Sequence, residues 1–162
     1  MITTALLAAT LSTPAHATEI GNGKNLGIGI QLGSPTGLTG KYYLGGRRNA
    51  ASFAIGSHYD GGFYSGLWVT GTYHFHLAEV ATVPEFTLPF RIGVGGFLAT
   101  GTYGYGRYYR DDVYLGARVP FGLDMDFTAV PIQVYLEVAA NLLVYPAIAG
   151  GVDAGLGFRY YF

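Results

Sequence analysis

"VYLGARVPFGLDMDF" (113–127) decides the fold, because bulky apolar residues alternate along it with small, polar or charged ones. In an extended strand, successive side chains point to opposite faces. One face of this stretch is therefore apolar, and the other carries Arg118, Asp124 and Asp126. A helix would need a repeat near 3.6 residues. The stretch predicts a strand with one apolar and one charged face.

The same alternation recurs along the chain, with turn-forming residues between the stretches. Eight strands of this kind with short connections predict an all-β fold, an eight-stranded antiparallel up-and-down barrel. Pro120 lies inside the sixth strand and cannot donate to a ladder, so we expect a bulge or local irregularity there. The predicted strands cover approximately 26–33, 38–44, 51–58, 66–76, 90–98, 113–127, 132–141 and 152–162.

Composition narrows the class of protein. Charged residues make up 12% of the 162 residues, about half the usual quarter. A net charge of -1 gives no indication of nucleic-acid binding. Cysteine is absent, which excludes disulfides and thiolate metal sites. No apolar stretch approaches the length of a membrane-spanning helix.

The N-terminus is typical of a secretory signal. "ALLAATLS" (5–12) is a short apolar core, and "AHA" (15–17) is an Ala-x-Ala cleavage site. No Lys or Arg precedes the core. We expect residues 1–17 to be a signal peptide and residues 18–162 to form the barrel.

An eight-stranded barrel is either water-soluble with an apolar interior or membrane-embedded with an apolar exterior. Two features favour the membrane. The apolar face of the strands carries no charge, and glycines gather on the charged face, where they would make room for large side chains inside a narrow barrel. The predicted interior charges are balanced in sign, and they are Lys41, Arg91, Arg118, Asp124, Asp126, Glu137, Asp153 and Arg159.

Aromatic residues form a third feature. An even strand number brings both termini to the same side, and outward aromatics then lie near that rim as an interfacial girdle. We expect both termini to be periplasmic and segments 34–37, 58–64, 99–112 and 143–151 to be outside the cell. The predicted girdle consists of Tyr42, Phe53, Phe75, Phe90, Phe127, Tyr160 and Phe162.

The last stretch, "GLGFRYYF" (155–162), places Phe158, Tyr160 and Phe162 on the apolar face. A final Phe with apolar residues two and four places before it resembles the C-terminal signal that the barrel-insertion machinery of bacterial outer membranes reads. Over residues 26–162 the chain resembles the small eight-stranded OmpA/OmpX-like barrels. "LGSPTGLTGKYYL" (32–44) and "RVPFGL" (118–123) resemble motifs of functionally unassigned members. The resemblance implies a monomer in the outer membrane of a Gram-negative-type bacterium, in contact with lipid.

Few residues indicate chemistry. His74 and His76 share a face, but no further His or Cys completes a metal site, so a structural pair inside the barrel is the favoured interpretation. Ser57 and His58 are adjacent in a strand and point to opposite faces, which prevents a nucleophile–base pair. We therefore expect no catalytic residues, no metal and no cofactor.

Three functional hypotheses remain. The first is a structural or surface-interaction barrel without a large pore; the second is a narrow, gated, porin-like path for ions or small solutes; the third is a lipid-modifying enzyme. "TYGYGRYYRDD" (102–112) is expected to be the longest outer loop, either an upper aromatic girdle or a recognition surface for an unknown ligand. Inside the barrel, we expect Glu137 to lie roughly opposite Gly157 and diagonal to Arg159, and to pair with Arg159, with Arg118 or Lys41 as competing partners.

Overall fold

The computed structural model describes the backbone of residues 19–60, 63–105 and 108–162. It also describes their side chains, except at positions 58–60, 63–65, 102–105 and 108–112. The strands are β1 (Leu26–Gly33), β2 (Thr36–Tyr43), β3 (Asn49–Asp60), β4 (Phe63–Thr82), β5 (Phe86–Tyr105), β6 (Tyr108–Phe127), β7 (Ile132–Tyr145) and β8 (Ala149–Tyr161).

These eight strands form a closed antiparallel barrel in chain order. β1 closes the sheet by pairing with β8, for example at Ile30 opposite Phe158. We call one end of the barrel the terminal end, because β1 begins and β8 ends there. The turns at this end are 44–48, 83–85 and 128–131. The opposite end, where β1 meets β2 and β7 meets β8, is called the hairpin end. The predicted all-β, eight-stranded antiparallel barrel is confirmed.

The two faces of the sheet differ in character. Outward residues of β1 are apolar and exposed, with Ile30 at 56% and Leu32 at 59% relative exposure. Among strand residues with described side chains, Glu79 is the single exposed charged residue, and the other charged side chains are buried. The structure therefore has an apolar exterior and a charged interior.

Glycines on the inner face lie under large neighbours. A Cβ added at Gly27 would come within 3.0 Å of the Tyr161 ring, which belongs to its cross-strand partner. The same holds for Gly116 beneath Phe97 and for Gly122 beneath the Arg91 guanidinium. Each of these glycines leaves the space that the large side chain on the paired strand fills.

The wall of the barrel is uneven in height. β1 and β2 have 8 residues each, whereas β4, β5 and β6 have 20 each. The expectation of a long Tyr-rich loop at 102–112 is therefore wrong for most of its length. β5 continues to Tyr105 and β6 starts at Tyr108, its direct partner. Strand alternation in this run was obscured because tyrosine occurs at both odd and even positions.

Pro120 is accommodated without a bulge. The β5–β6 ladder passes from Ile92 opposite Phe121 to Gly95 opposite Arg118 in an unchanged register. The pairs that would involve Pro120 and Val119 are missing from that side. On the other side, Pro120 stays opposite Ala139 of β7. The expected irregularity is thus a short gap in one ladder, consistent with the missing N–H of proline.

A turn before β1 covers the terminal end. The Lys24 N–H donates to the Glu19 carbonyl at 3.1 Å, and the two side chains form an ion pair at 3.0 Å. Between them Ile20 is fully buried, in a cluster with Tyr43, Ala50 and Tyr161. This turn therefore closes the barrel mouth with an apolar contact. Among the described residues, no helix is long and apolar enough to cross a membrane.

Candidate functional site: the buried charge chain

The barrel interior holds the densest group of charged side chains in the described part of the chain. All eight predicted interior residues are buried, with relative exposures from 0% to 6%. They come from five strands and point inward because they occupy the alternate positions to the apolar exterior. They are Lys41, Arg91, Arg118, Asp124, Asp126, Glu137, Asp153 and Arg159.

In the half of the barrel nearer the terminal end, Asp124 of β6 is the residue around which the buried ion pairs are arranged. Its Oδ2 accepts a hydrogen bond from Lys41 Nζ at 2.6 Å. Its Oδ1 accepts from Arg91 Nε at 2.9 Å. Asp124 therefore joins β2 to β5 across the interior through one fully buried carboxylate.

Glu137 of β7 extends this series of ion pairs toward the hairpin end. Its Oε2 lies 2.6 Å from Arg91 Nη1, and its Oε1 lies 3.1 Å from Arg118 Nη2. The same Arg118 nitrogen pairs with Asp153 Oδ1 at 3.0 Å. Positive and negative groups thus alternate from Lys41 to Asp153, and each of these carboxylates contacts at least one cation. Such pairing is what makes burial of several charges tolerable.

Asp126 has a partner that sequence reasoning missed. Arg47, from the turn between β2 and β3, places Nη2 at 2.8 Å from Asp126 Oδ2. Its Nη1 also pairs with Glu79 Oε1 at 3.3 Å. Arg47 belongs to "GGRRN" (45–49), a stretch with the composition of a turn between two predicted strands, and charges in turns are normally solvated. Only the three-dimensional closure brings this arginine over the terminal end of the interior.

Arg159 does not pair with Glu137, so that expectation is wrong. The Arg159 guanidinium donates to Thr39 Oγ1 at 2.7 Å and to Gln133 Oε1 at 3.1 Å. It also lies 3.8 Å from the centre of the Tyr135 ring, a cation–π arrangement. No carboxylate among the described residues forms an ion pair with it.

The register of β7 and β8 explains this difference. Glu137 lies opposite Gly155, not opposite Gly157 as expected, and Arg159 lies opposite Gln133. Pairing continues up to Leu143 opposite Ala149, so the hairpin turn is shorter than the sequence indicated. The two-residue offset carries Arg159 away from Glu137 and leaves Arg118 and Arg91 as the partners of Glu137. Lys41, the other competitor considered, pairs with Asp124 instead.

The two interior histidines act as hydrogen-bonding residues in this geometry. His74 Nδ1 faces Arg91 Nη1 at 2.9 Å and must accept, since a guanidinium only donates. His76 Nε2 lies 3.0 Å from Lys41 Nζ, while its Nδ1 faces the Arg48 carbonyl at 3.3 Å. No cluster of three or more His, Cys, Asp or Glu residues suited to a metal occurs in the described part of the chain.

One serine–histidine contact also exists in the interior. Ser52 Oγ lies 2.7 Å from His74 Nε2, the spacing of a nucleophile and its base. The other ring nitrogen of His74 meets a cation, Arg91, where a hydrolase would place a carboxylate. A cation there opposes the imidazolium that general-base catalysis requires. The contact is therefore structural. The side chains of His58 and Asp60 lie outside the described residues.

The predicted girdle residues lie on the outer face of the barrel. Tyr160 and Phe162 are edge to face with ring centres 5.1 Å apart, and Phe127 meets Phe86 at 6.5 Å. Tyr42 is paired with Ala51, and Phe53 follows Ala51 by two residues on β3. Phe53 therefore lies farther from the terminal end than Tyr42 does. The Phe53 ring covers Gly40 of β2. Exposed or partly exposed rings of this set are Tyr42, Phe53, Phe75, Phe90, Phe127, Tyr160 and Phe162.

The predicted insertion signal is likewise on the exterior. Phe158 and Tyr160 are 42% exposed, and Phe162 is 65% exposed. Phe158 and Tyr160 belong to β8 and Phe162 directly follows it, and β8 pairs with β7 on one side and with β1 on the other. This strand therefore closes the barrel while presenting its aromatic side chains outward.

The terminal end also has a cavity of about 250 Å³ beside the closing turn. Its wall includes both arginines of the turn between β2 and β3, together with Glu79. Arg47 is held by carboxylates there, so its charge is already compensated. The residues around this cavity are Tyr43, Arg47, Arg48, His76, Leu77, Ala78, Glu79 and Pro89.

Comparison with solved structures finds a similar fold in the crystal structure of the N-terminal β-barrel domain of Pseudomonas aeruginosa OprF. The TM-score is 0.65 at 14% sequence identity. The likeness covers 85% of this chain and 96% of that chain. At this identity the likeness shows the shared fold alone. No protein-family model and no curated protein matches the sequence. The chain is therefore a closed eight-stranded antiparallel barrel of the kind found in the OprF N-terminal domain.

Proposed function

We propose that this protein is an outer-membrane β-barrel of the OmpA/OmpX-like group, from a Gram-negative-type bacterium, with a structural or surface-interaction role and no large pore. The observation that carries the proposal is the inverted polarity of the barrel. Exposed apolar side chains surround a buried chain of ion pairs. Lipid is the solvent in which such an exterior is stable and such an interior is retained.

The filled interior supports the absence of a large pore. Arg91, Tyr135 and Tyr161 are fully or almost fully buried, and each lies over a glycine of the paired strand. An eight-stranded barrel leaves an interior just wide enough for side chains. The closing turn with Ile20 adds an apolar contact at the terminal end.

The proposed topology has both termini in the periplasm. An even number of strands brings the two ends of the barrel domain together, and outward aromatic residues lie near that end. In this orientation the β5–β6 hairpin would project from the cell surface, where it would be the first region to meet a surface partner. Residues 1–17 would be removed as a signal peptide.

Insertion is proposed to use the outward aromatics of β8. Phe158, Tyr160 and Phe162 share one face of the strand that closes the barrel against β1. The barrel-insertion machinery would read this face, and lipid would cover it afterwards. The folded protein would be a monomer without a cofactor.

A narrow, gated ion path is the second candidate. The favouring observation is that alternating charges run through the interior from Lys41 to Asp153 without an apolar break. Exchange of partners along such a chain would be needed to open a path. A lipid-modifying enzyme is not proposed, since the Ser52–His74 contact meets a cation instead of a carboxylate.

Membrane fractionation with heat-modifiable gel mobility tests the architecture. We expect the protein in the outer-membrane fraction, with a faster-migrating form in unheated samples. Recovery from the soluble fraction would contradict the proposal. Planar-bilayer recording then separates the two candidates. A silent bilayer is expected for the structural role, and small, discrete conductance steps would favour the ion path.

A further inference from the structure

The wall of the barrel is interrupted at the terminal end, between β3 and β4. β3 begins at Asn49, opposite Phe75 of β4, whereas β4 continues to Thr82 with β5 as its partner on the other side. Two register shifts occur in the β4–β5 ladder within this extension. Such bulges are frequent at barrel rims and change the direction of side chains. The edge of β4 beyond Phe75 is therefore open toward β3, and we call this opening the notch.

The cavity of about 250 Å³ at the terminal end lies in this notch. Its wall combines the two arginines of the turn between β2 and β3 with Leu77, Ala78 and Glu79 from the open edge of β4. Pockets for drug-sized ligands have volumes of about 300–1,000 Å³. The cavity is therefore suited to the polar headgroup of a lipid and is too small for a whole lipid.

Both signs of charge are present around this cavity. Arg47 is shared between Asp126 and Glu79. Arg48 is exposed and forms no ion pair with a carboxylate among the described residues. The Glu79 side chain is 49% exposed, and its Oε2 accepts a hydrogen bond from the Thr82 hydroxyl at 3.0 Å. Two arginines and two carboxylates make the notch neutral in sum, so charge complementarity favours a zwitterion over a simple anion or cation.

Apolar side chains continue from the cavity along the outer face of the barrel. Leu77 in the cavity wall is 63% exposed, and Phe75, two residues earlier on β4, is 42% exposed. The Tyr73 ring meets Phe75 edge to face, with ring centres 4.9 Å apart. Aromatic residues at the rim of a membrane barrel lie at the level of the lipid headgroups. The notch therefore combines charges of both signs with a neighbouring surface for acyl chains.

We propose that the notch binds the headgroup of a zwitterionic phospholipid that carries a primary ammonium, a phosphoethanolamine headgroup. Arg48 donates to the phosphate, Glu79 accepts from the ammonium, and the acyl chains lie along Leu77 and Phe75. This inference rests on the lipid-facing exterior of the proposed function and adds a specific headgroup to it. A choline headgroup has no N–H to donate to Glu79, and a glycerol headgroup has no ammonium. The notch therefore prefers ethanolamine to choline and glycerol headgroups.

Short-chain phospholipids added to the folded barrel in detergent test this preference. Dihexanoyl phosphatidylethanolamine, phosphatidylcholine and phosphatidylglycerol have the same acyl chains and differ in the headgroup alone. Native mass spectrometry measures the fraction of the barrel that holds one lipid at each lipid concentration. We expect the ethanolamine lipid to bind about fivefold more tightly than the other two, the effect of one partly exposed charge pair.

Three variants make the test specific to the notch. Glu79→Gln should remove the preference for ethanolamine over choline and leave the binding of the choline lipid unchanged. Arg48→Gln should weaken the binding of all three lipids, because each carries a phosphate. Glu85→Gln is the matched control and should bind like the wild type, since Glu85 is exposed in the turn between β4 and β5 and is not part of the cavity wall. Heat-modifiable gel mobility confirms that each variant is folded.

Equal binding of the three lipids by the wild type would overturn the inference. An equal loss of preference in Glu79→Gln and Glu85→Gln would overturn it as well, because the headgroup would then respond to the charge of the whole rim. Either result leaves the proposed outer-membrane barrel in place as long as the protein is recovered from the outer-membrane fraction. Recovery from the soluble fraction would instead contradict the proposed function and the inference together.

Discussion

Two rows across the barrel interior use the same packing device with different chemistry. In the terminal half, Arg91 lies over Gly122 of the paired strand. In the hairpin half, six residues farther along β5, Phe97 lies over Gly116. Arg91 is held by Asp124 and Glu137, whereas Phe97 stacks on Trp68 with ring centres 4.6 Å apart.

The difference shows that shape and charge are specified separately in this barrel. A glycine on one strand makes room for a large side chain on the next in both halves, so the device belongs to the narrow barrel itself. Among the residues whose side chains are described, the ion pairs of the interior extend from the terminal end to Asp153, and Ala54, Thr70 and Ala99 are buried in the hairpin half. Charge therefore fixes how the strands of the terminal half are held together.

The largest effect should come from removing the carboxylate at the centre of the terminal half. Asp124→Ala leaves Lys41 without its ion-pair partner and Arg91 with only one, so we expect a loss of about 3–5 kcal/mol in the free energy of unfolding. Asp153→Ala, nearer the hairpin end, should reduce the free energy of unfolding by less, because Arg118 still has Glu137 as an ion-pair partner. Urea unfolding in detergent measures both. A larger loss for Asp153→Ala would invert the comparison.

Filling the glycine positions should destabilise both rows. Gly122→Ala would push a Cβ against the Arg91 guanidinium and should cost about 1–3 kcal/mol through overpacking, and Gly116→Ala should cost more, because its Cβ would meet the Leu142 carbonyl oxygen as well as the Phe97 ring. Gly150→Ala on β8 is the control, because nothing lies within 4 Å of its added Cβ. If only the Gly122 variant is destabilised, the packing of a large side chain over a glycine of the paired strand does not contribute to stability in both halves.

A double-mutant cycle sharpens the position of Glu137. Glu137→Gln and Arg118→Lys should be coupled by about 1 kcal/mol, because their side chains are in direct contact at 3.1 Å. Glu137→Gln and Arg159→Lys should be additive to within about 0.5 kcal/mol. Unfolding free energies of the single and double variants give both coupling energies. Coupling to Arg159 alone would contradict the β7–β8 register.

The smallest effect is expected at the rim of the terminal end. Glu79 is half exposed and pairs with Arg47 at 3.3 Å. Exposed pairs contribute about 0–1 kcal/mol, and salt screens them. Glu79→Gln should therefore shift the unfolding midpoint slightly at low salt and hardly at all at high salt. A loss comparable to that of Asp124→Ala would mean that the rim, not the interior, holds the terminal half together.

The number of strands and the character of their two faces could be predicted from the sequence, because each strand is visible as a stretch in which apolar and polar residues alternate with a period of two. The sequence did not contain the register between strands. A two-residue offset in the β7–β8 hairpin was enough to exchange the expected partner of Glu137 for Arg91 and Arg118. The same limit applied to Arg47, whose approach to Asp126 depends on closure of the whole barrel.

Strand length was the other feature that local pattern did not reveal. The run at 99–112 is rich in glycine and tyrosine, a composition that is also common in loops, yet residues 99–105 and 108–112 continue the β5–β6 ladder. Long-range pairing decides such cases, since a ladder can hold residues whose individual preferences are weak.

The account rests on an outward face that contacts lipid, and a matched pair of arginine substitutions tests this most directly. Leu136, 52% exposed, lies on the outer face of β7, and Val130, 44% exposed, lies in the turn before it. Folding into lipid vesicles, followed by heat-modifiable mobility, should be impaired by about 2–4 kcal/mol in Leu136→Arg, as for arginine facing the bilayer core. Val130→Arg should fold like the wild type. Equal folding of both variants would contradict a lipid-facing exterior.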